Sequence, residues 1–339
     1  MSKAINRYTL HAASAGFTLM PVPTTQRAPE PTEVVVAMSA VSLNYRDLLV
    51  VDGHYPGIDA GLSPMSDGAG VVVDVGSAVT RWQVGDRVAP IFMPQWVDGR
   101  FKRDYLKAAR GGEGDGVMAE CLTLDESGLV RIPDELDFAE AATLPCAGVT
   151  AWQALMGRQP IGADDTLLIQ GTGGVALFGL QIAKAIGARV IVISSSDEKL
   201  ARAQALGADG GINYRREDAW DAAVLEMTNG RGVDHVLELG GPATYQKSIG
   251  ALAAGGVISQ IGVLTGFGPQ PSLGPIQSLN ATIQGITVGS RRHFEDLNTF
   301  ITKHSIRPVI GARLPVGEVA QAFGMMREAT HFGKIVVDL

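Results

Sequence analysis

The sequence lacks the features that mark several specialised classes of protein. Among 339 residues there are only two cysteines, Cys121 and Cys146, which cannot build a disulfide framework and suit a reducing cytoplasm. No long run of basic residues occurs and the formal net charge is −7, so we expect neither nucleic acids nor anionic membranes as partners. No apolar stretch is long enough to span a bilayer, and the N-terminus has no apolar segment typical of a signal peptide. The sequence therefore predicts a cytoplasmic protein.

The composition favours a globular chain with more than one domain. Hydrophobic residues make up 46% of it and charged residues 19%, which is ordinary for a globular protein. Because 339 residues exceed the length at which one hydrophobic core stops growing, two domains are expected.

The most informative segment reads as a buried strand that runs into a glycine turn and a helix. Small residues stand at Gly171, Gly173 and Ala176, and this spacing matches the G-x-G-x-x-G/A dinucleotide fingerprint. Gly171 permits a tight turn, Gly173 lets a pyrophosphate approach the backbone, and Ala176 lets the helix pack closely on the strand. The helix N-terminus offers unpaired N–H groups to the same pyrophosphate. The predicted cofactor contacts here are Gly171, Thr172, Gly173, Gly174 and Val175.

Strand and helix patterns alternate beyond this turn. Apolar residues recur at helical spacing over 175–186, and the β-branched run 189–193 suits a central parallel strand. Further helices are predicted at 197–206, 217–227 and 242–253, and further strands at 211–213, 233–237 and 257–261. This alternation predicts an α/β fold with a doubly wound parallel sheet.

The end of the second strand of this pattern bears on the choice of cofactor. An NAD site usually places Asp or Glu about 20 residues beyond the fingerprint, where the carboxylate accepts from the ribose 2′-OH. This chain has Ser194 and Ser195 there, and their hydroxyls can donate to a 2′-phosphate that a carboxylate would repel. Lys199 could add a cation and Tyr214 a stacking surface, although Lys199 could equally be a solvated surface charge. We therefore expect NADPH in preference to NADH.

Residues before about 125 differ in pattern, because short β-branched runs alternate there with glycine and proline and predict a β-rich domain. Several ordered motifs in this part and beyond it carry a resemblance to a known family. They are Ser42–Asp47, Gly53–Pro56, Pro64–Gly70, Gly76 with Val84–Val88, Leu144–Trp152 and the glycine turn. With these motifs the chain resembles the medium-chain dehydrogenase/reductase superfamily over essentially its full length. It is most similar to the zinc-lacking branch, which is quinone-oxidoreductase-like or zinc-type alcohol-dehydrogenase-like.

The resemblance implies a domain plan. It predicts a GroES-like catalytic domain at residues 1–125, a Rossmann NADP-binding domain at 126–298, and a return to the catalytic domain at 299–339. It also implies a homodimer formed through the edge strands of the cofactor domains, for which 281–290 is the matching segment.

The resemblance further bears on metal binding. Zinc-dependent relatives hold catalytic zinc with a cysteine, a His-Glu pair and another cysteine, and the matching positions here are Asn44, Ser66 with Asp67, and Cys146. A catalytic zinc needs three protein ligands, and Asn and Ser are poor ones. The segment 93–116, where those relatives carry four cysteines for a structural zinc, contains none and reads as a charged, flexible loop. We therefore expect no metal.

Without zinc, hydride transfer must depend on positioning, hydrogen-bond donors and a proton source. Asn44 can donate from its amide, and Tyr45 and Tyr55 from their phenols, while Arg46 could hold an anionic part of the substrate. In similar enoyl reductases the tyrosine of the matching Gly-x-Tyr-Pro motif is the proton donor, which implies this role for Tyr55. The alternative is that Tyr55 is a packing or gating aromatic.

Other predicted cofactor contacts lie near strand ends. The family pattern implies that the Thr150 hydroxyl lies near the nicotinamide ribose or phosphate. Gly240, Gly262 and Val263 follow the fourth and fifth strands, where ligands of open parallel sheets bind.

Three hypotheses about function result. The first is an NADPH-dependent, zinc-independent oxidoreductase that reduces a quinone or the activated C=C bond of an α,β-unsaturated carbonyl compound. The second is a zinc-free, NADP-dependent alcohol dehydrogenase or ketone reductase. The third is an NADPH-binding structural or sensing protein with little turnover.

Overall fold

The computed structural model describes residues 4–269 and 271–339. The strands are β1 (Ala4–Ala12), β2 (Phe17–Thr25), β3 (Glu33–Ser42), β4 (Asp67–Val75), β5 (Arg87–Pro90), β6 (Cys121–Asp125), β7 (Leu129–Arg131), β8 (Thr166–Gln170), β9 (Arg189–Ser194), β10 (Gly210–Asn213), β11 (Val233–Glu238), β12 (Leu252–Gln260), β13 (Thr282–Gly285), β14 (Ile310–Pro315) and β15 (Lys334–Asp338). The α-helices are α1 (Tyr45–Val51), α2 (Phe138–Ala141), α3 (Val149–Met156), α4 (Gly174–Ile186), α5 (Asp197–Ala205), α6 (Trp220–Met227), α7 (Pro242–Gly250), α8 (Gly274–Ser278), α9 (Arg291–His304) and α10 (Val319–Arg327). A π-helical turn lies at Leu144–Gly148.

One compact unit consists of residues 4–149 and 288–339. Its seven-stranded sheet has the order β14-β15-β3-β4-β5-β7, and β6 pairs with the first half of β3. Apolar side chains of β3, β4, α1 and α10 fill the core of this unit. Because β15 runs antiparallel to the second half of β3, it brings Lys334 next to the residues that follow β3.

The other compact unit, Thr150–Thr287, contains a parallel sheet in the order β10-β9-β8-β11-β12-β13. β8 is buried along its whole length, as expected for a central strand covered on both faces. The strand order reverses between β8 and β11, and open parallel sheets bind ligands beyond the carboxyl ends of the strands at such a point. The predicted doubly wound sheet and β-rich first domain are both confirmed.

One boundary predicted within this pattern is wrong. The helix expected over 242–253 ends at Gly250, and β12 begins at Leu252 and not at Val257. Leu252 pairs with Val233 of β11 and is buried. The residues whose spacing had suggested a further turn of helix therefore form the start of β12.

The compact units divide the chain after residues 149 and 287. The sequence predicted domain boundaries after residues 125 and 298, and these boundaries stay a prediction. Within the described residues no helix has both the length and the apolar character needed to cross a membrane.

Candidate active site

Asn44 stands where β3 ends and α1 begins. It occupies the N-cap of α1 with an extended backbone, and its N–H donates to Asp47 Oδ2 at 2.7 Å. This contact satisfies one of the backbone donors that a helix N-terminus leaves unpaired. The side chain of Asn44 is half-buried and is left to make other contacts.

Four polar side chains lie around Asn44, and three of them, Lys334, Ser66 and Asp67, are buried. We refer to these three, Asn44 and Cys146 as the Lys334 network. Lys334 donates from Nζ to Leu43 O at 2.5 Å and to Asn44 Oδ1 at 2.6 Å. Asn44 Nδ2 faces Ser66 Oγ at 3.4 Å, and Ser66 Oγ donates to Asp67 Oδ1 at 2.6 Å. The backbone N–H of Cys146 donates to Asp67 Oδ2 at 3.1 Å, and Lys334 Nζ lies 3.8 Å from the same oxygen. The network therefore joins β15, the start of α1, β4 and the π-helical turn.

Burial governs the ionisation of the acidic groups here. It raises the pKa of Asp67, and the Lys334 charge together with hydrogen bonds from Asn44, Ser66 and Cys146 opposes that rise. Burial also raises the pKa of Asp47 to about 7, and one oxygen of this carboxyl group has no hydrogen-bond partner. The pKa of the Cys146 thiol is raised by burial and then by Asp67, so this thiol stays protonated at neutral pH.

The backbone before Ser66 is held in a costly conformation. Met65 has a φ of +68° although it is not glycine, and it is fully buried. Such a residue costs on the order of 1–3 kcal/mol and persists only where its surroundings hold it. Gly111 and Gly116 supply those surroundings, because a Cβ at either position would approach the backbone of Pro64 or Met65 to within 2.6 Å. The glycine-rich loop thus packs tightly beside Ser66.

Tyr55 contacts a carboxylate of the same loop. Its hydroxyl donates to Glu113 Oε1 at 3.0 Å, and Arg46 donates to Glu113 Oε2 at 3.0 Å. The Arg46 guanidinium lies 4.9 Å from the centre of the Tyr55 ring and 5.0 Å from that of Phe92, within range of a cation–π interaction. Arg46, considered above for an anionic part of the substrate, is therefore already paired with Glu113.

Tyr45, the other candidate proton donor, is the first residue of α1 and is half-buried. Like Tyr55, it packs against the hydrophobic core of this unit. What sets Tyr55 apart is the carboxylate of Glu113, to which its hydroxyl donates.

The segment 93–116, expected to be a flexible charged loop, is instead organised around an aromatic cluster. Trp96 is 2% exposed, and its ring lies 5.1 Å from Phe101, 6.1 Å from Tyr105 and 5.9 Å from His293. These contacts fix the segment by apolar packing, which the charged residues in its sequence had obscured. In residues 4–269 and 271–339, no three His, Cys, Asp or Glu side chains group in a way that could hold a metal ion.

The predicted glycine turn lies at the carboxyl end of β8, beside the reversal of strand order. Gly171 has a φ of +77°, and a Cβ added to Gly171 or Gly173 would meet no atom within 4 Å. Gly173 is the N-cap of α4, and as glycine it has no side chain that could accept from the N–H groups of the first turn. Thr172 is buried, and α4 begins at Gly174 and Val175.

Four residues predicted to bind the adenosine part meet at the ends of β9 and β10. Ser194 ends β9 and is 3% exposed, whereas Ser195 is half-buried. The N–H of Tyr214 donates to Ser194 O at 3.1 Å, and 41% of Tyr214 is exposed. Lys199 lies in the first turn of α5, and burial lowers its pKa. Asp197, the nearest following acid, pairs with Arg216 and accepts from Asn213.

Gly240 and Gly262 meet where β11 and β12 end. A Cβ at Gly262 would lie 2.0 Å from Leu239 O, so only glycine permits this approach of the two chain segments. Val263, which follows, is half-buried. Thr150 is the second residue of α3 and is 4% exposed.

The buried carboxylate of Glu238, which the sequence analysis did not single out, supports the turn that follows β11. Glu238 is fully buried at the end of β11, and its Oε1 accepts from the N–H groups of Gly240 at 3.0 Å and Gly241 at 2.9 Å. Its other oxygen accepts from Gln170 Nε2 at 2.7 Å, across the point where the strand order reverses. Glu238 thus fixes the turn that carries Gly240.

Comparisons with known proteins agree with this architecture. The alcohol dehydrogenase GroES-like domain family matches residues 30–134, and the zinc-binding dehydrogenase family matches residues 174–303. A zinc-type alcohol dehydrogenase-like protein of Schizosaccharomyces pombe is 40% identical over 98% of this chain and 99% of its own length. The chain belongs to the medium-chain dehydrogenase/reductase superfamily.

Further members of this superfamily are similar over most of the chain. A quinone oxidoreductase of Pseudomonas aeruginosa is 32% identical over 87% of this chain and 87% of its own. A crystal structure of a candidate alcohol dehydrogenase from Sinorhizobium meliloti 1021 superposes with a TM-score of 0.92 at 43% identity, covering 100% of both chains. As a superfamily member the protein is an oxidoreductase with a GroES-like domain and a Rossmann-like sheet.

Besides Glu238, the sequence analysis missed two further residues of the site, Lys334 and Glu113. Lys334 carries a weak signal, since a charged residue opening the apolar run 335–337 is unusual in a buried strand. Glu113 carries none, because a glutamate among glycines is typical of a solvated loop.

Proposed function

We propose that the protein is an NADPH-dependent, zinc-independent oxidoreductase that reduces a quinone or the activated C=C bond of an α,β-unsaturated carbonyl compound. The observation that carries this proposal is the ammonium group of Lys334, hydrogen-bonded to Asn44 at the position matching a zinc ligand of zinc-dependent relatives. The proposal assigns cofactor binding to the Thr150–Thr287 unit and substrate activation to the other unit.

The residues of the Lys334 network do not fit a zinc ion. Only Asp67 and Cys146 carry groups that ligate zinc well, and a catalytic zinc takes three protein ligands. Asp67 already accepts hydrogen bonds on both oxygens, and the raised pKa of Cys146 disfavours the thiolate that zinc requires. The Lys334 ammonium, 3.8 Å from Asp67, would also repel a second cation.

A nicotinamide dinucleotide does fit the second unit. The open space above Gly171 and Gly173 and the uncapped start of α4 suit a pyrophosphate, which helix N-termini attract. Serine at the end of β9 puts no carboxylate at the position that would repel a 2′-phosphate, and the following Asp197 is paired with Arg216. These features support NADPH over NADH, with Lys199 and Tyr214 as further contacts. When bound, the cofactor supplies the hydride.

The remaining chemistry is assigned to two side chains of the first unit. Asn44 donates from its amide to the substrate oxygen on which negative charge develops, and donors of this kind stabilise a transition state without a metal. Tyr55 supplies the proton when its hydroxyl hydrogen, which donates to Glu113 in the free protein, turns to the substrate, and solvent then reprotonates the phenolate. The Arg46 guanidinium lies against the Tyr55 ring and favours the transient phenolate. For a quinone, whose reduced anion is stable in water, the proton can come from solvent.

A substrate panel tests this proposal directly. Purified protein is assayed with NADPH and with NADH against quinones and an enone such as methyl vinyl ketone, with analysis of the products. We expect faster turnover with NADPH and a saturated ketone from the enone. Failure to bind NADPH in calorimetry would contradict the proposal, and tight NADPH binding without turnover on any acceptor would favour a structural or sensing role.

A second candidate function is an NADP-dependent alcohol dehydrogenase or ketone reductase without zinc. The observation that favours it is the Tyr55–Glu113 contact, because a phenol that donates to a carboxylate can accept a proton from an alcohol while passing its own to Glu113. Formation of an allylic alcohol from the enone would support this candidate over C=C reduction.

We also propose that the protein is a cytoplasmic homodimer, as the family resemblance implies. β13 is an outer strand of the six-stranded sheet and lies within the segment 281–290, which matches the edge that pairs between subunits in the family. Light scattering at micromolar concentration and a proline substitution in β13, at Ile283, would test this arrangement.

A further inference from the structure

The ammonium of Lys334 fixes the direction of the hydrogen bonds that it makes. A lysine ammonium has three donors and no acceptor, so the atom of Asn44 that faces Lys334 Nζ at 2.6 Å must be the amide oxygen. The amide nitrogen then faces Ser66 Oγ, which can accept because its own hydrogen goes to Asp67 Oδ1. Lys334 thereby determines the orientation of the Asn44 amide, with its oxygen towards Lys334 and its nitrogen towards Ser66.

The amide nitrogen of Asn44 has more donors than the network uses. Ser66 Oγ accepts from Nδ2 at 3.4 Å, and Asp67 also receives a hydrogen bond from the Asn44 side chain. Because Ser66 Oγ lies only 2.6 Å from Asp67 Oδ1, we infer that one N–H of Nδ2 is shared between these two acceptors. Since Nδ2 carries two hydrogens and the side chain is only half-buried, the second N–H is available to a ligand.

We propose that Lys334 is a positioning residue of the reaction, which holds the Asn44 amide so that its free N–H donates to the substrate oxygen. This inference rests on the proposed function of the site. Lys334 does not itself touch the substrate, because it is 4% exposed and its hydrogens go to Leu43 O and Asn44 Oδ1 and towards Asp67. With the amide reversed, the oxygen of Asn44 would face the developing negative charge and oppose it.

The position of Lys334 is strongly determined by the fold. Gly333 precedes it with a φ of +85°, and a Cβ there would lie 2.2 Å from Val309 O, so the chain must enter β15 through glycine. β15 then pairs with β3 through Val336 and Ser42, which places the ammonium beside Leu43 and Asn44. Both partners of the 2.6 Å contact are therefore held by the sheet.

A double-mutant cycle on enone reduction with NADPH tests this role. Removal of one oxyanion donor typically lowers kcat by about 10²–10³-fold, and we expect this from Asn44→Ala. Lys334→Met, which keeps the length but loses every donor, should lower kcat by about 10-fold or more with NADPH affinity unchanged. In the Asn44→Ala background the same change should have no further effect. Equal losses in both backgrounds would overturn the proposal.

Loss of the fold must be separated from loss of positioning, because Lys334→Met leaves Asp67 buried without a cation. Lys334→Met is therefore also made in an Asp67→Asn background and compared with Asp67→Asn alone. We expect the loss of kcat to persist there, and a folded protein with unchanged kcat would contradict the role. Lys334→Arg, which keeps the charge and donors, should retain more activity than Lys334→Met.

NMR spectroscopy tests the contact between Lys334 and Asn44 without an activity assay. With asparagine-selective ¹⁵N labelling, the side-chain NH₂ signals that vanish in Asn44→Asp belong to Asn44. These signals should shift in Lys334→Met, and unchanged positions would overturn the proposal even if the wild-type protein reduced no acceptor. Inactivity of the wild type on every acceptor would overturn only the proposed function.

Discussion

The phenol of Tyr55 donates to one oxygen of Glu113 while Arg46 donates to the other, each at 3.0 Å. The carboxylate thus joins a candidate proton donor to a buried cation, and the Arg46 guanidinium lies against the ring of the same tyrosine. A phenol held on two sides loses little freedom when a substrate arrives. This arrangement makes Tyr55 the group whose substitution is most informative.

Tyr55→Phe should slow enone reduction by about 10²–10⁴-fold, the usual contribution of general acid catalysis. NADPH affinity should stay unchanged, and quinone reduction should fall only slightly because solvent can protonate the product. Steady-state kinetics on both acceptors, with fluorescence titration of NADPH, measure these effects. Tyr45→Phe is the matched control, and a loss confined to that variant would make Tyr45 the donor.

Ser194→Asp should weaken NADPH binding far more than NADH binding, through repulsion of the 2′-phosphate. The loss of a charge-assisted contact of this kind costs on the order of 1.5–3 kcal/mol. Because Ser194 is 3% exposed, a stability measurement must accompany the titrations. An equal loss for both cofactors would mean that Ser194 does not face the adenosine ribose.

Activity should survive prolonged treatment with EDTA or phenanthroline, because the Lys334 network offers zinc too few ligands and an opposing positive charge. Elemental analysis should find well under one zinc per chain. The comparison is made on the same preparation before and after chelation. Stoichiometric zinc together with inactivation by the chelator would refute metal-independent catalysis.

Asp47 should make the stability of the protein depend on pH. Its pKa rises from 3.8 to about 7 on folding, so between these values the folded state binds more protons than the unfolded state. The free energy of unfolding should therefore fall as the pH rises from about 4 to about 7, by at most about 1.4 kcal/mol per pH unit from this group.

Asp47→Asn provides the control for this dependence, since its amide oxygen can still accept from the Asn44 N–H. Denaturant titrations should find the variant and the wild type similar at pH 4, and the variant more stable at pH 8. A difference that stays constant over this range would show that Asp47 is ionised in the folded protein throughout.

The sequence predicted the parallel sheet, the glycine turn and the position of Ser194 at a strand end because these depend on local patterns. Gly171 and Gly173 reveal themselves by spacing, and β9 by an unbroken β-branched run. Lys334 could not be predicted in the same way, because its contact with Asn44 spans 290 positions and depends on the pairing of β15 with β3. No periodicity encodes which strand lies beside which residue at that distance.

Glu113 shows a different limit. Its loop reads as flexible because glycines are numerous, yet Gly111 and Gly116 are required by close backbone contacts with Pro64 and Met65. The same residue type marks mobility in one setting and dense packing in another, and only the surrounding atoms distinguish the two. The start of β12 was missed for a related reason, since burial against β11 decided what spacing left open.

The pairing of β3 with β15 has a consequence for how the protein is made. Asn44 leaves the ribosome early, but the lysine that orients it is translated only after the entire Thr150–Thr287 unit. The second half of β3 and the Asn44 amide therefore reach their native contacts with β15 only when the last residues of the first unit have been synthesised.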